Sequence, residues 1–218
     1  MKKLIFMTLA LVVIFSFNAA AETNLEFDLG AIEVKNISDD PIAAGKLELT
    51  TDELNYKDAY DFIEFSSTFS VESSDYDFFS SDLMLYSELS NPNLKDKYIG
   101  LGVKHLFIDD SEASAFLKSD ISAYAFPIAF KLEEEQGESK IFLTGSAFKG
   151  RYNIKVPGED AESDFSGFSL ELGVKFKLKD SDMKLSYKQE DFSFDKDSSI
   201  GGSSFEDNYK GLFLGIDF

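Results

Sequence analysis

The chain holds one histidine, His105, and no cysteine. A lone imidazole excludes paired-histidine catalysis and multi-histidine metal centres, and the absence of thiols excludes disulfides, thiolate metal sites and thiol nucleophiles. A catalytic histidine also needs a nucleophile and an orienting acid beside it. The run His105-Leu106-Phe107 carries no His-x-Ser arrangement. By parity His105 shares a face with Ile99, Leu101, Val103 and Phe107, which reads as a structural position. No enzyme and no cofactor are predicted.

Carboxylates recur in pairs, at Asp39–Asp40, Asp109–Asp110, Asp180 with Asp182 and Asp195 with Asp197. Such oxygens suit calcium, yet none follows the EF-hand spacing. Turns rich in Asp and Ser account for them. Charge also recurs at alternate positions within apolar stretches, and there the chemistry is that of a charged wall. If every apolar face points outward, the inward set comprises Glu64, Asp82, Glu88, Lys104, Lys149, Arg151, Lys155, Glu171, Lys175, Lys177, Lys184, Lys188 and Glu190. Lys149, Arg151, Glu171, Lys175, Lys184 and Lys188 are the candidate lumen charges. They point either to a narrow path for small anions or to a packed polar plug of ion pairs.

The elements that position these groups are strands. From Leu25 onward, apolar residues return every second position rather than at helical spacing. Phe168, Leu170, Leu172, Val174, Phe176 and Leu178 make one apolar face about as long as the roughly 9–11 residues a transmembrane β-strand needs. Further strands are predicted near 25–34, 46–56, 63–71, 79–89, 98–107, 116–132, 141–156, 183–194 and 209–218. The count is ten, with eight possible if the first two pair differently. Pro127 cannot donate to a ladder, so a bulge or a rim position is expected there. Outer loops are expected at 36–45, 72–77, 109–114, 157–164 and 196–205. Inner turns are expected at 57–59, 90–96, 133–139 and 179–182.

Two ends of the sequence set the compartment. Met1–Lys3 is basic, residues 4–17 are apolar apart from Thr8 and Ser16, and Asn18–Ala21 end in small residues. This is the pattern of a secretory signal cut before Glu22, and its apolar run is shorter than the roughly 20 residues a spanning helix requires. Residues 1–21 are therefore expected to be a cleaved signal and 22–218 a single barrel domain. At the other end Leu212, Leu214, Ile216 and Phe218 alternate with Gly211, Phe213, Gly215 and Asp217. That strand resembles the terminal strand of bacterial outer-membrane β-barrels. The resemblance implies that Leu212, Leu214, Ile216 and Phe218 form the segment read by the barrel insertion machinery.

Composition agrees. The 218-residue chain carries a formal charge of −19, which argues against nucleic acid as a partner. Its 23 regularly placed phenylalanines argue against a disordered acidic chain. Only a helix or a closed barrel satisfies every backbone group in lipid, so the expected fold is an all-β, up-and-down antiparallel transmembrane barrel of the bacterial outer membrane. Aromatics near strand ends (Tyr98, Phe107, Tyr152, Phe168, Tyr209) suit a membrane boundary, with outer-membrane lipid and lipopolysaccharide as surroundings. Alternation alone equally suits a soluble periplasmic lipocalin-like barrel with its apolar face inward.

The stretches Tyr98–Phe107, Tyr124–Ile128 and Met183–Lys188 are similar to segments of the YfaZ-type small outer-membrane proteins, over the C-terminal half of the chain. That resemblance implies a barrel without a defined biochemical activity. The reading that follows is a non-enzymatic outer-membrane barrel with a structural or surface-interaction role; a narrow porin-like channel is the alternative. Deletion of Phe218 is predicted to leave unfolded protein in the periplasm, detectable by fractionation and protease sensitivity. Normal assembly of that variant would refute the role given to the terminal strand.

Overall fold

The computed structural model describes residues 23–34, 41–51, 60–71, 76–90, 96–110, 119–156, 159–179, 181–195 and 205–217. They form ten strands: β1 (Thr23–Val34), β2 (Ile42–Thr51), β3 (Phe62–Ser70), β4 (Tyr76–Glu88), β5 (Lys97–Asp110), β6 (Ser119–Gln136), β7 (Ser139–Val156), β8 (Glu159–Leu178), β9 (Ser181–Phe194) and β10 (Phe205–Asp217). Each pairs antiparallel with its chain neighbours, and β1 closes on β10 to complete a barrel. The eight-strand alternative fails because β1 has a full ladder on both sides. The expected signal at 1–21 and Phe218 lie outside the described residues.

The register fixes the barrel's shape. Starting at Asp217 on β10, the partners run through Glu26, Glu48, Ser66, Asp82, Lys104, Ala125, Gly150, Phe165 and Phe194, and return to β10 at Phe205. One circuit therefore shifts the chain by twelve residues, from 217 to 205. With ten strands, that stagger corresponds to a tilt of about 40°.

Several boundaries differ from those read in the sequence. β2 begins at Ile42, inside the loop expected to reach Gly45, because Ile32 and Ile42 already pair. β8 begins at Glu159, inside the loop expected at 157–164, because β7 and β8 stay paired as far as Val156 and Glu159. The inner turn at 133–139 tightens to Gly137–Glu138, with Gly137 at φ 66°, a conformation glycine adopts without strain. Pro127 produces neither a bulge nor a rim. The β5–β6 ladder drops out opposite Pro127, between the Leu101–Ile128 and Lys104–Ala125 pairs, and resumes in the same register. The missing donor costs a local gap instead of a shift, since β6 remains fully paired with β7 across Pro127.

Side-chain direction changes along the barrel axis. Call the end holding Thr23 and Asp217 the terminal end, and the other the distal end. Over the terminal two-thirds the apolar face is outward: Leu29, Leu101, Ile128, Phe168, Leu172 and Leu214 are exposed, while Asp28, Lys46, Lys104 and Glu171 are buried inside. On β8 the outward band runs from Phe168 to Leu178. Ten steps of about 3.3 Å, tilted by about 40°, give a height of roughly 25 Å, the thickness of the apolar band of a transmembrane barrel. The soluble-barrel reading is set aside over this height, because the apolar face is the outer one.

Toward the distal end the pattern inverts. Ile32, Phe78, Leu106, Phe148, Tyr152, Phe165, Phe192, Phe194, Tyr209 and Phe213 form one inward cluster. Outside them stand Lys149, Arg151, Glu162 and Asp164. Phe165 and Phe194 lie 5.1 Å apart between ring centroids, and Phe78 meets Tyr209 edge-on at 4.7 Å. The Tyr152 hydroxyl donates to the carbonyl of Asp195 at 2.9 Å. Here the barrel is built like a water-soluble one. Tyr152 and Tyr209 thus belong to this core, and Tyr98 packs inward against Phe62, so these three do not mark the lipid boundary as expected.

Leu172→Arg, at mid-band, is predicted to cost about 2–4 kcal/mol in unfolding from lipid vesicles. Asn153→Leu, above the band, is predicted to change stability by no more than about 0.5 kcal/mol. Equal effects would contradict the inversion.

Candidate functional site in the charged lumen

Between the distal aromatic cluster and a smaller terminal-end cluster of Phe62, Met84, Tyr86 and Ala129, the lumen is lined by charge. Seven carboxylates (Glu26, Asp28, Glu48, Glu64, Asp82, Glu171, Glu190) meet six ammonium groups (Lys46, Lys104, Lys131, Lys175, Lys184, Lys188). The near balance replaces the basic excess expected from sequence.

The pairs reach across the barrel. Lys46 on β2 meets Glu171 on β8 at 2.5 Å, and Lys131 on β6 meets Glu64 on β3 at 2.5 Å. Lys104 on β5 pairs with Glu190 on β9 and, at 3.0 Å, with Asp82 beside it. Lys175 on β8 holds Glu26 on β1 at 2.6 Å. Lys188 lies 3.7 Å from Glu190 and donates to Thr68 on β3 at 3.3 Å. Tyr209 donates to Glu190 at 2.7 Å. The ammonium groups also sit over rings, Lys104 over Phe148 of the distal cluster at 5.0 Å and Lys131 over Phe62 of the terminal one at 5.3 Å, which joins the lattice to both, while Lys184 lies over Phe142 at 5.1 Å.

Lys184 is the hub. Its ammonium contacts Glu26 and Glu48 directly and lies 3.5 Å from Asp28 and 3.6 Å from Glu171. Oxygens of Glu26, Asp28 and Glu48 fall within 4.8 Å of one another, close enough to ligate a cation. The lysine already stands where that cation would, so the trio reads as a lysine cage. One cavity of about 40 Å³ lies beside it, lined by Glu48, Glu64, Asp82, Tyr86, Thr144 and Lys188 among others. That is room for one or two waters. A ten-stranded barrel is narrow enough for side chains to fill, and here they do.

Of the residues singled out in sequence, Glu171, Lys175, Lys184 and Lys188 line the lumen, with Glu64, Asp82, Lys104 and Glu190 beside them. Lys149 and Arg151 do not. They point outward, with side chains 76% and 66% exposed, toward Asp164 at 4.0 Å and Glu162 at 3.0 Å respectively. β7 alternates without a break from Ile141, so Lys149 and Arg151 keep the outward side while Phe148 and Tyr152 take the inner one. The error came from assigning charge to the inside beyond the height of the lipid band. Lys177 stands at the terminal rim, 3.7 Å from Asp182, and Glu88 at the same rim accepts from the amide of Asp96 at 3.2 Å. The side chain of Lys155 lies outside the described residues. Leu212, Leu214 and Ile216 face outward and exposed on β10.

The structure adds Glu26, Asp28, Lys46, Glu48 and Lys131 to the lumen. The first four carried a usable signal, since they alternate with Leu25, Phe27, Leu29, Leu47 and Leu49. Lys131 did not: β6 sets Ala123, Ala125, Pro127 and Ala129 against Tyr124, Phe126, Ile128 and Phe130, two apolar faces that differ only in size.

Removing one partner of a buried pair strands its counter-charge, at a cost of about 3–5 kcal/mol. Lys184→Met is predicted to destabilise the barrel by that amount in denaturant unfolding from lipid vesicles. Adding Glu48→Gln should recover part of the loss, and strict additivity of the two would count against the lattice.

No family model and no curated relative matches the chain. Solved structures similar to it include Neisserial surface protein A (10% identity, 91% of this chain and 97% of that one, TM-score 0.42). Another is Ail, the attachment invasion locus protein of Yersinia pestis (8%, 91% and 97%, 0.33). A third is the Pseudomonas putida toluene transporter TodX (10%, 93% and 69%, 0.34). At these identities and TM-scores the likeness assigns no function, and the YfaZ-type resemblance gains no support from a family match.

Proposed function

We propose that this chain is a non-enzymatic barrel of the bacterial outer membrane with a structural or surface-interaction role, its distal end facing the exterior. The observation that carries this reading is the filled lumen, where ion pairs from Lys46–Glu171 to Lys131–Glu64 brace opposite walls between two aromatic clusters. A solute path would require breaking several buried pairs at once. The roughly 25 Å outward apolar band supports insertion in lipid.

The outward His105 supports a non-catalytic role. It lies 3.3 Å from Ser122 and stacks on Tyr124 at 4.6 Å. The surrounding backbone amides belong to the β4–β5 and β5–β6 ladders, so they are not offered to a developing oxyanion.

The test combines heat-modifiability with planar-bilayer recording on the full chain extracted from outer membranes. The expected result is a fast-migrating unboiled band that shifts on boiling, together with an electrically silent bilayer. Regular conductance steps would establish a channel, and recovery of the folded protein without detergent would remove the membrane reading.

A further inference from the structure

One row of registered partners crosses the outer surface obliquely: Ser67, Ser81, His105, Tyr124, Arg151 and Asp164, on β3 to β8. The strand tilt makes this row climb from within the apolar band to just above its distal edge. Ser67 and Ser81 are buried, and the accessible part of the row runs from His105 through Tyr124 to the exposed Arg151 and Asp164. At its upper end Arg151 pairs with Tyr124 across β6–β7, and Lys149 pairs in the same way with Phe126. Phe126 is 73% exposed, the most exposed large apolar side chain among the described residues, with Tyr124 at 57%.

We infer that Lys149, Arg151, Tyr124 and Phe126 form a site for the phosphorylated headgroup of an outer-leaflet glycolipid. This rests on the outer-membrane reading above. Arg and Lys bind phosphate oxygens through charge-assisted hydrogen bonds. Rings just below them sit at the level where an amphipathic lipid passes from headgroup to chain. His105, registered with Tyr124 on the neighbouring strand, lies 3.3 Å from Ser122, two residues distal to Tyr124 on β6, so polar side chains flank the ring at the band's edge, where the ester or amide groups that join acyl chains to a sugar need hydrogen-bond partners.

The present partners of the cations do not prevent this. Arg151–Glu162 and Lys149–Asp164 join side chains that are each about half exposed or more, and such surface pairs contribute little. They lower the affinity by placing two carboxylates beside the phosphate. The surface therefore makes two opposite predictions from one geometry: removing the cations abolishes binding, and removing the carboxylates strengthens it.

The experiment is native mass spectrometry of the full chain, detergent-purified and shown to be heat-modifiable, titrated with diphosphoryl lipid A. The wild type should retain the lipid, and enzymatically dephosphorylated lipid A should bind at least about tenfold more weakly. K149E/R151E should lose at least about tenfold in affinity, whereas K177E, at the opposite rim, should bind as wild type. E162Q/D164N should bind at least about threefold more tightly. Millimolar inorganic phosphate should fail to displace the lipid. Equal binding by K149E/R151E and wild type would overturn the site, as would equal binding of the dephosphorylated lipid. Full displacement by inorganic phosphate would overturn the lipid as its ligand. A wild type that is not heat-modifiable would instead refute the membrane reading itself.

Discussion

Hydrocarbon offers no partner to a backbone N–H, so the ladder joining the first strand to the last is the constraint on which the other features rest. It runs from Glu26–Asp217 to Val34–Tyr209 and removes the sheet's only two edges. Closure with ten strands and a stagger of twelve fixes both tilt and bore. The bore then decides what the interior can be. Strands this close present side chains from opposite walls within reach of one another, and Lys46–Glu171 and Lys104–Glu190 span it directly.

A lumen within lipid height must turn its polar face inward, which brings a cost of its own. Thirteen charges sit in a space with little water, and each ion loses several kcal/mol of hydration. What makes the arrangement tolerable is connectivity: Glu190 is met by Lys104, Lys188 and Tyr209, and Glu171 by Lys46 and Lys184. A hydrophobic filling would satisfy the same volume more cheaply. It would also give strands apolar on both faces, in which a slip of one residue carries no penalty. The charge lattice penalises every slip, because a one-residue shift of β9 would send Lys184, Lys188 and Glu190 into lipid.

Much of this was legible in the residues. Strict alternation in 168–178 and in the last strand pointed to the fold class, because period two has no helical counterpart. The ends of β6–β9 were not legible. Ile154, Tyr152 and Phe148 alternate with Asn153, Arg151 and Lys149 as regularly as any membrane strand does, and period two is silent about which side is inside. Tyr152 and Tyr209 misled for the same reason: near a strand end, an aromatic suits a lipid boundary or a distal core equally well. The cross-lumen partners were out of reach altogether, since Lys46 and Glu171 lie 125 residues apart and meet only through barrel closure.

The inversion also explains why the chain is so acidic while its lumen is not. Seven carboxylates against six lysines leave the membrane-embedded interior close to neutral, although the whole sequence stands at −19. Among the described residues, that lattice contributes one net negative charge. Burying unpaired charge in the bore would cost several kcal/mol per group, whereas carboxylates at water-exposed ends cost almost nothing. Among the described distal residues, Glu33, Glu162, Asp164 and Glu206 face outward and exposed. Against that acidic rim the exposed cations are Lys210, held by Glu33 at 2.8 Å, and the pair Lys149 and Arg151, side by side on one strand at the height where the apolar band ends. A cation there gains nothing from the lumen. What its position does offer is attraction for negative charge arriving from the lipid surface, and the repulsive carboxylates around it would keep that attraction confined to one face of the barrel.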